Sequence, residues 1–308
     1  MISYSFIYTN EAGFSFNYIS ESSITYDMNQ PLLHVMIPAY GESPHLEETL
    51  TSACENLSES VLITVLEDPS EANVIESITS KFKPRVNFQK NNERIGIANN
   101  FNKCLELSQG KFTQICGHDD LIIKDPTNML KKTIDKSQEQ LNLIFSAKVM
   151  QESISIPLRL ADLAKHVLTP RKKTLQDMTN KVFLERLMLG YWFHFPAIIW
   201  RTEVAKKYKF NDQLKSAMDL DFLIDMIINN EKFKFIDEEI LTYRRHVESA
   251  SSVNSFTGNR FYEEISCHKK VSLYAKRNKY RKLNYLSKLA LGVRANAIIN
   301  RAALRSKP

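Results

Sequence analysis

An α/β fold on a mostly parallel sheet is the class that this chain predicts, and three observations carry it. Short apolar runs of strand length recur along the first half. Segments with three-to-four apolar spacing separate them. Polar and acidic residues gather where the apolar runs end. Strand–helix–strand repetition implies parallel strands with crossover helices on the sheet faces. Ligands of open α/β sheets bind at the carboxyl ends of the strands.

The elements follow in order. Residues 1–30 are polar with scattered aromatics, and Phe14 to Tyr18 alternates as a short strand does, so this stretch reads as an N-terminal extension. Leu33 to Ile37 is a compact strand that Pro38 is expected to stop. Leu46, Leu50, Ala53 and Leu57 mark one apolar face of a helix over 45–57. Val61 to Leu66 is a second buried strand, 71–81 a helix, and 85–89 a short strand. Gly96 opens a helix that Gly110 ends, and Phe112 to Cys116 is the next strand. In the second half, strands are predicted at 142–148, 196–200, 233–236 and 240–243. Residues 153–190 read as helix and loop, 202–207 as a short helix, and 221–229 as an amphipathic helix. From Phe261 onward the pattern is helical, with Leu283, Leu286, Leu289, Ala290, Val293 and Ala297 on one face.

The 308 residues suit one large domain with appendages. The predicted division is 1–30, then 31–252 with halves meeting near 125, then a basic helical region over 253–308. The four cysteines, Cys54, Cys104, Cys116 and Cys267, form no C-x-x-C pair, which argues against a disulfide framework or a zinc site. No secretory signal is evident, and no apolar run approaches the ~18 residues of a membrane span. A cytoplasmic protein is expected. The net charge of +6 is unevenly distributed. Residues 265–308 hold 12 Lys and Arg and no acid, whereas residues 1–264 hold 29 basic and 35 acidic residues. Such a tail suits an anionic partner, either a membrane surface met peripherally or the acidic body itself. No nucleic-acid-binding motif accompanies the charge.

Six constellations bear chemistry. His34-Val35-Met36-Ile37-Pro38-Ala39-Tyr40-Gly41-Glu42 delivers a rigid aromatic to a sheet edge, where a ring can pack on a nucleobase; a plain strand–turn–helix link reads equally well. Glu67-Asp68-Pro69-Ser70 ends a strand with carboxylates that can accept from a base N–H or cap the next helix. Arg94 and the helix start at Gly96, followed by Asn100 and Asn102, suit a diphosphate, although asparagine-rich helix starts are also common caps. Gly117-His118-Asp119-Asp120 follows a strand directly, an arrangement for a hard divalent cation or a solvated turn. Met218-Asp219-Leu220-Asp221 places carboxylates at a helix start, fit for proton removal or, as favoured for Asp221, for dipole capping. Tyr243-Arg244-Arg245-His246 returns cationic groups after a strand, with Ser249 and Ser251 beyond. Trp192, His194 and Phe195 precede an apolar strand and suit sugar stacking or a buried aromatic layer.

In this order the six strings resemble the family 2 glycosyltransferases of the GT-A (Rossmann-like) fold, over roughly residues 32–252. The resemblance implies a nucleotide diphosphate sugar donor, a divalent cation (Mg2+ or Mn2+), and a glycan or lipid-linked acceptor of the surface-glycan type. It further implies inverting transfer. Asp219 aligns with the family's base. Asp119 and His246 align with the metal-binding positions. Pro38, Ala39, Tyr40, Glu42, Glu67, Asp68, Arg94, Gly96, Asn100, Asn102, His118, Asp119 and Arg244 fall on the donor side. Asp120, Trp192, His194 and Met218 fall on the acceptor side. Three positions depart from the pattern: Glu67 replaces an Asp, Gly117 the first acid of the D-x-D motif, and Met218 a Glu. Those departures keep open a non-catalytic interaction protein on a degenerate scaffold. A nucleotidyltransferase is the other alternative, although Pro38 to Glu42 lacks the Gly-rich basic loop that chemistry normally needs.

Overall fold

The computed structural model describes residues 30–136, 141–151, 178–245, 259–290 and 293. Those from Pro31 on belong to one compact unit. Eight strands form a single sheet: β1 (Leu33–Tyr40), β2 (Leu62–Asp68), β3 (Asn87–Lys90), β4 (Phe112–Ile115), β5 (Leu121–Ile122), β6 (Leu141–Gln151), β7 (Ile198–Arg201) and β8 (Lys232–Arg245). The helices are α1 (Leu46–Asn56), α2 (Ile75–Ser80), α3 (Ile97–Leu107), α4 (Thr127–Lys136), α5 (Asn180–Leu187), α6 (Thr202–Ala205), α7 (Met218–Ile228), α8 (Asn259–Arg277) and α9 (Arg281–Leu289). A 3-10 turn over Phe195–Ala197 leads into β7.

The strand order is β3-β2-β1-β4-β7-β6-β8-β5. β1, β2, β3 and β4 run parallel, as do β6 and β8. β7 is antiparallel to both β4 and β6, and β5 is antiparallel to β8. The mostly parallel α/β sheet predicted from the sequence is therefore present. Because β7 reverses between them, β4 and β6 point the same way, and both predicted halves share one sheet. The carboxyl ends of β1, β2, β3, β4, β6 and β8 consequently lie along one edge.

Helices cover both sheet faces, which is why the strands are apolar on both sides. In β1, Leu33, Val35, Ile37 and Ala39 join the layer that holds Leu46, Leu50 and Ala53 of α1. Met36 faces the other layer, with Ala98 and Cys104 of α3, Phe183 of α5, Trp200 of β7 and Phe222 of α7. All four residues predicted for the apolar face of α1 are buried.

Several elements differ from expectation. β1 does not stop at Ile37 but runs through Pro38 to Tyr40. Met36 O accepts the Cys116 N–H, so residues two apart from Met36 point toward β4. Pro38 therefore turns its donorless nitrogen to a side where β4 has already ended at Ile115, and no ladder bond is lost. The two short strands expected at 233–236 and 240–243 are one strand of 14 residues, with irregular register opposite Phe145 to Ala147. α7 begins at Met218, three residues earlier than expected, and it is buried nearly all round rather than amphipathic. α8 is the cause. Cys267, Val271 and Ala275 from this helix join the same core and cover the outer side of α7, while Leu283 of α9 is buried in the same core layer.

Candidate functional site

Polar side chains collect at the carboxyl edge of the sheet. Tyr40, the last residue of β1, is 42% exposed, and the Arg94 guanidinium lies 4.5 Å from its ring centroid. Pro38 and Ala39 are buried beneath it, and Glu42 is exposed in the turn that follows. At the end of β2, Glu67 is buried, and neither carboxylate oxygen has a hydrogen-bond donor among the described residues. Lys90, its register partner on β3, stands 3.2 Å from Oε1 as an ion pair without hydrogen-bond alignment.

Asp68 holds the entrance to α3. Its Oδ1 accepts the Ile95 N–H at 2.8 Å and its Oδ2 the Gly96 N–H at 2.9 Å. Gly96 caps α3 at φ 81°, a left-handed conformation that favours glycine. The two asparagines of α3 are tied into the frame. Asn100 is buried, donates to Leu66 O and accepts from Asn91. Asn102 exchanges two hydrogen bonds with the backbone of Phe210.

The turn after β4 brings two adjacent carboxyl groups together. Asp119 Oδ1 and Asp120 Oδ2 converge on Gly117, at 2.6 and 2.7 Å from where a Cβ on that glycine would stand. They fill the space that a side chain at position 117 would take. Asp120 is buried. Its Oδ1 accepts the Arg244 N–H at 3.0 Å, and its Oδ2 has no hydrogen-bond partner among the described residues. Burial, then the neighbouring Asp119 charge, holds the Asp120 carboxyl well above the usual carboxylate range. Arg244, at the end of β8, braces the turn: its Nε donates to Asp119 O at 2.8 Å, and its Nη2 pairs with Glu48 of α1. Thr49 of α1 donates to His118 O.

Asp219 lies in the first turn of α7. Asp219 Oδ1 accepts the Leu220 N–H at 2.8 Å. Burial raises its pKa, opposed by that hydrogen bond and by the Arg260 charge. Its charge acts on the Tyr191 hydroxyl, which is buried without a partner among the described residues, as do those of Tyr243 on β8 and Arg260 on α8. The His194 and Tyr243 rings lie 4.6 Å apart. Tyr243, beside His194, is followed on β8 by Arg244, which is bonded to the Asp119–Asp120 turn.

Trp192 is packed among Phe183, Phe193 and Phe235, and Met218 is buried in the core layer beneath α7. Asp221 is ion-paired with Lys270 at 2.7 Å. His246 lies outside the described residues. Sequence reasoning did not single out Tyr191, Lys90, Glu48, Arg260 or Glu263, because the partners each meets are set by packing and not by a strand-end motif.

Residues 34–184 match the family model described as Glycosyl transferase family 2. Those residues form a glycosyltransferase family 2 domain. An uncharacterised glycosyltransferase of Methanocaldococcus jannaschii is 25% identical over 224 residues, covering 71% of this chain and 72% of that protein. S. aureus TarS 1–349, in complex with UDP-GlcNAc, superposes with a TM-score of 0.59 at 18% identity, over 78% of this chain and 66% of that one. The mannosyltransferase PcManGT of Pyrobaculum calidifontis, in complex with GDP-Man and Mn2+, gives 0.58 at 15% identity, over 91% and 77%. These family 2 likenesses establish the GT-A fold, including helices after its last strand.

Proposed function

We propose that this chain is an inverting glycosyltransferase that moves a sugar from a nucleoside diphosphate donor to a hydroxyl of a glycan or lipid-linked acceptor. One observation supports the reading: Asp219 and Tyr243 both act on the buried Tyr191 hydroxyl, and Arg244, next to Tyr243 on β8, donates to Asp119 O at 2.8 Å. The family supports it, as do the nucleotide sugars bound by TarS and PcManGT.

On the donor side, the Tyr40 ring and the Glu67 carboxylate serve the base, and Arg94 with the positive end of the α3 dipole serves the diphosphate. Asp68 acts indirectly, by holding the start of α3. A divalent cation fits the turn. Two carboxylate oxygens converge there, and one of them is buried without a donor. Magnesium is typically held by one or two carboxylates together with substrate phosphates. Asp119 and Asp120 would hold it, with His246 as a further candidate. When bound, the cation supplies charge neutralisation for the departing diphosphate.

Asp219 takes the proton of the acceptor hydroxyl as that oxygen attacks the anomeric carbon. The bond from that carbon to the diphosphate oxygen breaks on the opposite side, which inverts the configuration. A carboxylate raised by burial is the stronger base. Turnover of a panel of UDP- and GDP-sugars with manganese or magnesium tests this. Asp219→Asn is expected to lower kcat by about 10^2- to 10^4-fold and to leave donor binding intact. Wild-type turnover in that variant would remove Asp219 from the chemistry.

The outer sides of α8 and α9 expose Tyr262, Ile265, Leu273 and Tyr285 among basic residues. No helix among the described residues is long and apolar enough to cross a membrane. Peripheral contact with anionic lipid fits this surface. Cosedimentation with phosphatidylglycerol vesicles and not with phosphatidylcholine vesicles is the expected outcome.

A further inference from the structure

Glu263 lies in the first turns of α8 and faces the loop that leads into α7. Its Oε1 accepts the Lys215 N–H at 2.9 Å. Its Oε2 accepts the Ser216 N–H at 2.7 Å and the Ala217 N–H at 2.9 Å. Ala217 is the N-cap of α7 and makes no side-chain cap. The polar side chain that ordinarily caps a helix from within the sequence is therefore missing, and a carboxylate 46 residues further along takes the task. Along the same side of α8, Cys267 Sγ lies 4.0 Å from Ala217 O. Lys270 pairs with Asp221 at 2.7 Å and with Asp225 at 2.6 Å. Residues 263, 267 and 270 share one face of α8. Asp219 sits in the gap between the two attachments, one closing on residues 215–217 and the other on Asp221 and Asp225.

We propose that α8 is a splint for the Asp219 carboxylate, with Glu263 as the positioning residue that sets the direction in which α7 begins. This rests on the reading of Asp219 as the general base. A fixed loop path keeps Asp219 aimed at the acceptor hydroxyl. A displacement of about 1 Å at a reacting group is enough to cost about 100-fold in rate. The main-chain donors do not choose among acceptors, so the side chain at 263 needs only its oxygens and its charge.

The experiment uses the full chain with Glu263→Ala, Glu263→Gln, Asp219→Asn and, as a control, Lys282→Met, which removes an ion pair to Glu185 away from the edge. Amide hydrogen exchange at 215–217 is measured beside kcat, donor KM and the pH profile, on a UDP- or GDP-sugar that the wild type turns over. In Glu263→Ala, exchange at 215–217 is expected to rise about tenfold or more. Its kcat should fall by about 10- to 100-fold with donor KM within about twofold, and its acid limb should shift. Glu263→Gln keeps one oxygen for the Ser216 and Ala217 N–H groups and recovers part of both signals; it carries the comparison if the alanine variant does not fold. Lys282→Met should keep wild-type kcat. Unchanged exchange in a folded Glu263→Ala protein, wild-type kcat in it, or an equal loss in Lys282→Met would overturn the proposal. An inactive Asp219→Asn beside an active Glu263→Ala removes the splint alone, whereas an active Asp219→Asn removes the base assignment and the splint with it.

Discussion

His34 is a buried histidine whose two ring nitrogens are both engaged, Nε2 with Thr64 Oγ1 at 2.8 Å and Nδ1 with the Gln109 N–H at 3.1 Å. Burial lowers its pKa to about 4. A folded-state pKa below the unfolded value means that the neutral ring contributes stability in full above about pH 6.5. That contribution is lost as the pH falls toward 4. Between pH 7 and pH 4.5 it amounts to about 2–3 kcal/mol. Denaturant titrations at both pH values should show this loss in the wild type and not in His34→Gln. Asp219 has the opposite sign of shift. Its raised pKa keeps the proton on to higher pH than an ordinary carboxylate does, so the acid limb of kcat should lie above that range. Arg260 favours the ionised form, and Arg260→Met should therefore move that limb to still higher pH, read from kcat against pH.

The start of α3 shows how one acid serves an element rather than a ligand. Asp68 binds two consecutive N–H groups there, and charged hydrogen bonds of this kind contribute about 1.5–3 kcal/mol each. Asp68→Ala should cost at least about 2 kcal/mol in a denaturation experiment and weaken UDP or GDP binding by loosening the approach of Arg94. The turn after β4 is a second such element. Gly117→Ala places a Cβ where Asp119 Oδ1 and Asp120 Oδ2 now stand. Asp119 and the buried Asp120 must then move apart, and weaker manganese-dependent thermal stabilisation than in the wild type is the expected result.

For the molecule as a whole, α8 and α9 complete the core instead of decorating it. Cys267, Val271, Ala275 and Leu283 are fully buried against α7 and its neighbours. Val271 and Leu283 each contribute about 1.5–3 kcal/mol by their burial, together a large share of the ~5–15 kcal/mol that holds a domain together. A chain ending at residue 258 should therefore show no cooperative thermal transition. The inner faces of α8 and α9 are thus structural, and their outer faces are what lipid could meet.

By itself, the sequence determined the sheet class, the order of the elements and the family, because apolar periodicity and strand-end motifs are local properties. It placed the apolar face of α1 and the acids at the ends of β2 and β4. Tertiary structure alone decided which carboxylates have both oxygens held by backbone amides, as Asp68 has, and which keep an oxygen without a hydrogen-bond donor among the described residues, as Glu67 and Asp120 do. It also decided that Pro38 lies inside a strand and that Glu263 caps a helix to which it does not belong. These depend on partners from 27 to more than 40 residues away. No spacing rule along the chain encodes such meetings, since they come from the packing of helices on a closed sheet.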